Sequence, residues 1–174
     1  MKSKLMFFLI AALCSYNTYA DDKTGPYVGI KGGQFQIDIN ASDNIEDPSA
    51  FGFVAGFKFN RFIGLEFERN ESDDAEVKSW YSSVDKLSIT TTALYFVFRT
   101  PGDVYFKVKS GILREEVDTT CHSCFNDDGS ENDTGLSLGV GLGFMPVKSV
   151  SLEAEYTLIE EDVGYLSAGI NFHF

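Results

Sequence analysis

Cys121-His122-Ser123-Cys124 gathers two thiols, an imidazole and a hydroxyl into four consecutive positions. In a secreted chain, two such cysteines most often close a disulfide, and a C-x-x-C also serves redox exchange or metal binding. There is no second C-x-x-C, and only His122 and nearby carboxylates would complete a metal sphere. A disulfide between Cys121 and Cys124 is therefore the expectation, with metal binding and free thiols as the other readings. Next along the chain, Asp127, Asp128, Glu131 and Asp133 around Gly129 offer oxygen ligands for a hard cation. Their spacing departs from that of a helix–loop–helix calcium site, and a solvated acidic loop is the plainer reading. Hydrolytic chemistry needs a nucleophile beside a base. The chain has 2 His. His122 adjoins Ser123 but lies between cysteines, and His173 neighbours Asn171 with no evident serine partner. No catalytic residue and no bound cofactor are expected.

The second group of reactive side chains is more orderly. Lys58, Glu66, Lys107, Glu153 and Glu155 each sit between apolar neighbours and Glu68 and Lys109 each follow one, as in F-K-F, L-E-F-E-R, F-K-V-K and L-E-A-E-Y. A period of two puts these charges on one face of a strand and the apolar residues on the other. The C-terminal stretch Val163–Phe174 shows the same rule: Leu166, Ala168, Ile170, Phe172 and Phe174 share one parity, and Tyr165, Ser167, Gly169, Asn171 and His173 the other.

Seven further stretches alternate in this way, giving expected strands over 26–39, 50–59, 63–69, 86–99, 104–117, 134–145 and 150–159. Leu136, Leu138, Val140, Leu142 and Phe144 against Gly135, Ser137, Gly139, Gly141 and Gly143 is the cleanest case. In the first stretch the apolar parity changes between Val28, Ile30 and the later Phe35, Ile37, Ile39, which predicts a bulge near Gly32-Gly33. In 86–99 both parities carry apolar residues toward the end. Long polar connections after the first, third and fifth strands alternate with tight ones, such as Thr100-Pro101-Gly102-Asp103. Eight strands of about ten residues, long loops at one end and short turns at the other, describe an up-and-down antiparallel barrel crossing a bilayer, with both termini at the short-turn, periplasmic end.

Composition fits this reading. Hydrophobic residues make up 44% and aromatics 14%, an average that hides alternation between lipid and lumen. The start is a basic M-K-S-K, a short apolar run and Thr18-Tyr19-Ala20, which reads as a signal peptide over 1–20 before a single domain over 21–174. Cys14 suggests a lipidated alternative, which Leu13 disfavours. An eight-stranded lumen is just wide enough for side chains to fill it. The inward acids and bases are expected to neutralise one another in a plugged, polar interior without a wide pore. A gated ion path along the carboxylates is the sharper alternative.

The chain resembles the small eight-stranded outer-membrane proteins, the OmpA transmembrane domain and the OmpX/Ail group. The resemblance rests on Gly169, Phe172 and terminal Phe174, on G-P-Y-V-G-I-K-G-G at 25–33 and on Ile63-Gly64-Leu65-Glu66. It implies residence in the outer membrane of a Gram-negative bacterium, contact with outer-membrane lipid and lipopolysaccharide, and recognition of Gly169, Phe172 and Phe174 by the barrel assembly machinery. Activity follows less directly, because the family includes anchors, adhesins, complement-resistance proteins and enzymes. Those that modify lipid A carry His and Ser near the outer rim.

Charge narrows the partners. The net charge is −12, and segments 40–49, 70–86, 115–133 and 160–162 hold 18 acids against Lys78 and Lys86. An acidic crown excludes nucleic acid and heparin-like partners. It would also repel phosphorylated lipopolysaccharide unless Ca²⁺ or Mg²⁺ bridges the two. The expected role is structural or surface-interacting and non-enzymatic. An adhesin or host-factor-binding role through the loops, with Trp80 and Tyr81 as contacts, is the alternative. A lipid A-modifying enzyme and a small-molecule channel are remote ones.

Overall fold

The computed structural model describes residues 24–37, 48–73, 75–76, 86–120, 129–160 and 163–174. The strands are β1 (Gly25–Ile37), β2 (Ser49–Lys58), β3 (Ile63–Ser72), β4 (Ala75–Glu76), β5 (Lys86–Arg99), β6 (Val104–Thr120), β7 (Gly129–Val147), β8 (Val150–Glu160) and β9 (Val163–His173). Each long strand pairs antiparallel with its neighbours in the chain, and β1 pairs with β9 from Tyr27–His173 to Ile37–Val163. The β3–β5 pairing closes the cylinder, and two-residue β4 extends only the β5 edge. The result is a closed eight-stranded antiparallel barrel, so no backbone edge is left for lipid to meet.

Alternation decides what faces out. Phe53, Phe67, Phe96, Phe106, Leu138, Val140, Leu142, Leu152, Leu166 and Phe172 are all exposed on the outer wall. The run from Leu136 to Phe144 on β7 rises about 21 Å at roughly 3.4 Å per residue and a tilt of roughly 40°. That is close to the height of the apolar band of an outer-membrane barrel. Exposed apolar surface on this scale would aggregate in water, and a bilayer removes the penalty. No described helix is long and apolar enough to cross a membrane, a test that does not bear on strands.

The bulge expected in β1 is absent. β1 keeps one unbroken register with both β2 and β9, so there is no bulge at Gly32-Gly33. Val28 and Ile30 face out while Phe35 points in and is fully buried. The apolar parity changes because the lumen becomes apolar toward the loop end, not because the strand slips. β5 shows the same thing: Leu94, Phe96 and Phe98 face lipid, and Ile89, Ala93, Tyr95 and Val97 face the lumen. The strands at the loop end also run further than the alternation suggested. β3 reaches Ser72, β6 reaches Thr120 and β7 begins at Gly129, so part of the acidic sequence lies on strand walls.

Candidate functional site

The turn-end half of the lumen is filled by ion pairs. Glu66, Glu68, Glu153 and Glu155 meet Lys31, Arg99, Lys107 and Lys109, four carboxylates against four cations, every one buried. Lys107 stands at the centre. Its Nζ lies 2.8 Å from Glu66 and 2.8 Å from Glu153, and it also donates to Glu155. Lys109 Nζ bridges Glu68 at 2.6 Å and Glu155 at 2.7 Å, and Lys31 completes Glu68. Arg99 Nη2 reaches Glu66 at 2.5 Å, and its Nε lies 3.5 Å from Glu153. Tyr27 Oη donates to Glu66 at 2.5 Å, and Tyr105 Oη donates to Glu153.

Glycine gives these long side chains their room. In the ladder Lys107 stands opposite Gly141, Lys109 opposite Gly139, and Tyr105 opposite Gly143. A Cβ at Gly143 would lie 2.1 Å from Tyr105 Cζ, and one at Gly139 would lie 2.6 Å from Lys109 Cε. The Gly-x-Gly-x-Gly of β7 is therefore the complement of the Tyr-x-Lys-x-Lys of β6. One strand crosses the lumen with long side chains where the next has none.

Toward the loop end the lumen is mainly apolar, with Asn70, Thr91 and Glu115 as buried polar exceptions. Phe35, Ala50, Ile89, Ala93, Tyr95, Val97, Leu113, Ile159 and Tyr165 form one buried apolar cluster, with the Phe35 and Tyr165 rings stacked 4.7 Å apart. Two cations touch its underside: Lys109 Nζ is 4.6 Å from the centre of the Tyr95 ring, and Lys31 Nζ is 5.3 Å from that of Tyr165. The lumen is thus a charge layer capped by an apolar layer. It is not the uniformly polar filling that the Gly and Ser of the inward parity suggested.

Of the residues singled out in the sequence, Glu66, Glu68, Lys107, Lys109, Glu153 and Glu155 come together. Lys58 does not join them. It is half-buried at the turn-end mouth, 5.9 Å from the centre of the Tyr27 ring, with no carboxylate within 4.0 Å among the described residues. Lys31 and Arg99 were missed, as were the tyrosines that bond to the carboxylates. Lys31 lies on the parity of Tyr27 and Gly29, and the expected bulge obscured that match. Arg99 was read only as a strand end. Glu66, Glu68 and Glu155 also approach one another closely enough to suggest a metal cluster, but lysine ammonium groups already occupy the space between them.

His173 does have a serine partner. Its Nε2 lies 2.9 Å from Ser151 Oγ, across the β8–β9 ladder. Ser151 is fully buried. Asp133 is exposed and accepts from the backbone N–H of Thr134 at 2.7 Å. Glu131 lies in β7. Cys121, Cys124, His122, Asp127, Asp128, Trp80, Tyr81 and the segment 1–20 lie outside the described residues. Phe172 and Phe174 are exposed on the outer wall, and Gly169 faces Lys31, whose Cβ a side chain at 169 would meet at 2.9 Å.

A closed antiparallel barrel with an apolar belt outside and neutralised charge inside is an integral membrane β-barrel. Residues 6–174 match the outer membrane protein beta-barrel domain, and the chain belongs to that family, which places it in the bacterial outer membrane. Ail, the attachment invasion locus protein of Yersinia pestis, is similar in structure at 19% identity and a TM-score of 0.60, over 89% of this chain and 100% of Ail. A second structure of that protein holds the heparin analogue sucrose octasulfate. Neisserial surface protein A is similar at 15% identity and a TM-score of 0.65, over 86% of this chain and 97% of that one. OprG of Pseudomonas aeruginosa is similar at 13% identity and a TM-score of 0.61, over 87% and 97%. At these identities the likeness is one of fold. No curated protein sequence matches the chain.

Proposed function

We propose that this is a non-enzymatic barrel of a Gram-negative outer membrane, with its turns in the periplasm and its loops outside, and that it works through its outer surface rather than its lumen. The observation that carries this reading is the filled interior. Ions entering from the turn end would meet a balanced ion-pair layer and then an apolar cluster. An open water path needs neither. Purified barrel in planar lipid membranes should show no stable open-channel current, and a reproducible ohmic conductance would refute the reading.

The outer wall supplies a way to hold surface glycolipid. Phe67, Leu94, Ile112 and Leu136 form one ladder row across β3, β5, β6 and β7, the last apolar row on that side. The next row toward the loops is Arg69, Thr92, Arg114 and Thr134, and the one after is Glu71, Thr90, Glu116 and Asn132. Two outward arginines, about 10 Å apart at two strand spacings, thus border the hydrocarbon, where lipopolysaccharide carries its phosphates. Arg69 pairs with Glu71 at 3.0 Å and Arg114 with Glu116 at 3.1 Å. The glutamates would take up Ca²⁺ or Mg²⁺ that bridges to the same phosphates. The barrel should unfold at lower urea in lipopolysaccharide vesicles once a chelator is added; an unchanged midpoint would sink the bridging.

The second reading is a loop-borne adhesin. The Ail complex with sucrose octasulfate shows that a barrel of this fold accommodates a polyanion. The 18 acids counted at this chain's loop end favour a cationic or neutral partner instead. Deleting 72–83 separates the two readings. Loss of surface binding with membrane integrity intact supports the adhesin, and the reverse supports the structural role.

A further inference from the structure

The turn-end mouth of the barrel is concave and cationic. A cavity of about 610 Å³ opens there, bordered by strand ends and by all three tight turns. Its charged lining is Lys58, Arg61, Arg99 and Lys148 against Asp103, with His173 beside them. Arg99 is committed to Glu66 and Glu153 beneath the floor. Lys58 and Arg61 are not so engaged. Among the described residues neither has a carboxylate within 4.0 Å, and each rests on an aromatic ring instead. Lys58 Nζ lies 5.9 Å from the centre of Tyr27, and the Arg61 guanidinium lies 4.7 Å from that of Phe62.

This placement is electrostatically unfinished. Arg99 approaches the same Tyr27 ring, at 5.1 Å, so two cations flank one aromatic side chain in a half-buried recess. Like charges collected in a recess repel, and low-dielectric walls strengthen the effect. The ion-pair layer below is already balanced at four against four and has no carboxylate to lend. The contrast with the opposite end, where acids dominate, is strong for a chain of net charge −12. Lys58 borders the cavity from the lumen side, and Arg61 borders it from the rim, over Phe62, whose ring stacks 6.2 Å from that of outward Phe98; two such cations beside a cavity of this size suit an oxyanion.

We propose that the turn-end mouth is a binding site for a small, multiply charged oxyanion, with phosphate or carboxylate groups, held chiefly by Lys58 and Arg61. Lys148 and the His173 edge form the rest of the wall. The ligand is taken to be a soluble solute rather than a lipid headgroup, because Lys58 and His173 line the mouth from the lumen side and only Arg61, at the rim over Phe62, lies near the outer wall. The inference rests on the proposed orientation only for the compartment that supplies the ligand. Binding itself is measured on barrel in micelles, so it stands or falls independently of the orientation.

The test uses the folded barrel in a non-ionic maltoside micelle, titrated with inorganic phosphate and separately with citrate, and followed by calorimetry and by the amide resonances of Gly102 and Ser149. Saturable binding with shifts confined to the mouth is expected for at least one of the two probes. Lys58→Gln with Arg61→Gln should weaken it at least tenfold, Lys58→Arg should retain it, and Lys78→Gln, in the sequence between β4 and β5, should leave it unchanged. Because neither mouth residue belongs to the ion-pair layer, these variants are expected to fold, and the same samples are checked by circular dichroism. Absence of saturable binding for both probes, or equal affinity in the double variant, overturns the proposal. A mouth that responds only in bilayers containing phosphatidylglycerol overturns the soluble ligand. Asp21 and Asp22 precede Thr24, which borders the cavity. Binding seen only after both are changed to Asn would show that the chain neutralises its own mouth, and would also overturn it.

Discussion

Replacing Lys107 by Met tests the lumen most directly. Methionine keeps the length and flexibility of the side chain and removes only the charge and its donors. The Nζ it deletes lies 2.8 Å from Glu66 and 2.8 Å from Glu153 and also bonds to Glu155. Afterwards four carboxylates face Lys31, Arg99 and Lys109, an excess of one buried negative charge. Breaking a buried ion pair from one side costs about 3–5 kcal/mol. The structure points to the lower end of that range, because every carboxylate keeps a partner. Glu66 retains Arg99 at 2.5 Å, Glu155 retains Lys109 at 2.7 Å, and Glu153 retains Tyr105. A loss of about 3 kcal/mol lowers the folding equilibrium constant roughly a hundredfold. Urea titration of barrel refolded into lipid vesicles, read by circular dichroism and by the gel mobility of folded and unfolded forms, measures it. Adding Glu155→Gln restores charge balance and should recover at least half of the loss. A cost below about 1 kcal/mol, or a double variant no more stable than Lys107→Met alone, would refute the claim that charge balance holds the lumen together.

Three further outcomes follow from the same geometry. Gly143→Val puts side-chain atoms where the Tyr105 ring lies, with even a Cβ only 2.1 Å from Cζ, and should fail to refold, whereas Leu142→Val on the lipid face should refold normally. Leu138→Arg places a charge in the apolar belt and should destabilise the barrel by about 2–4 kcal/mol in lipid, measured by the same titration. Phe35→Ala empties part of the apolar layer and should cost about 3–5 kcal/mol, measured by the same titration.

Much of this barrel was legible in one dimension because a strand in a bilayer has only two environments. Leu136 to Phe144 on one parity and Gly139 to Gly143 on the other could be read without coordinates, as could Glu66, Glu68, Lys107, Lys109, Glu153 and Glu155 as lumen residues. The same two-way rule misled where both environments are apolar. Phe35 on β1 and Ile89, Ala93 and Val97 on β5 look like lipid-facing residues that have changed parity. They form the cap of the lumen, and the strands that carry them keep their register throughout.

Alternation along the chain therefore determined the strand count, the antiparallel order and the side of the wall on which each charge lies. These are local properties, set by a period of two and by the lengths of the connections. Only closure of the cylinder decided which charges meet. Lys31 and Glu68, or Arg99 and Glu66, are brought together by ladders between distant segments and by the spaces that glycines leave on the strand opposite. Closure also left Lys58 outside the ion-paired layer. Pairing across a lumen depends on the register of every strand around it, and one strand's sequence does not carry that register.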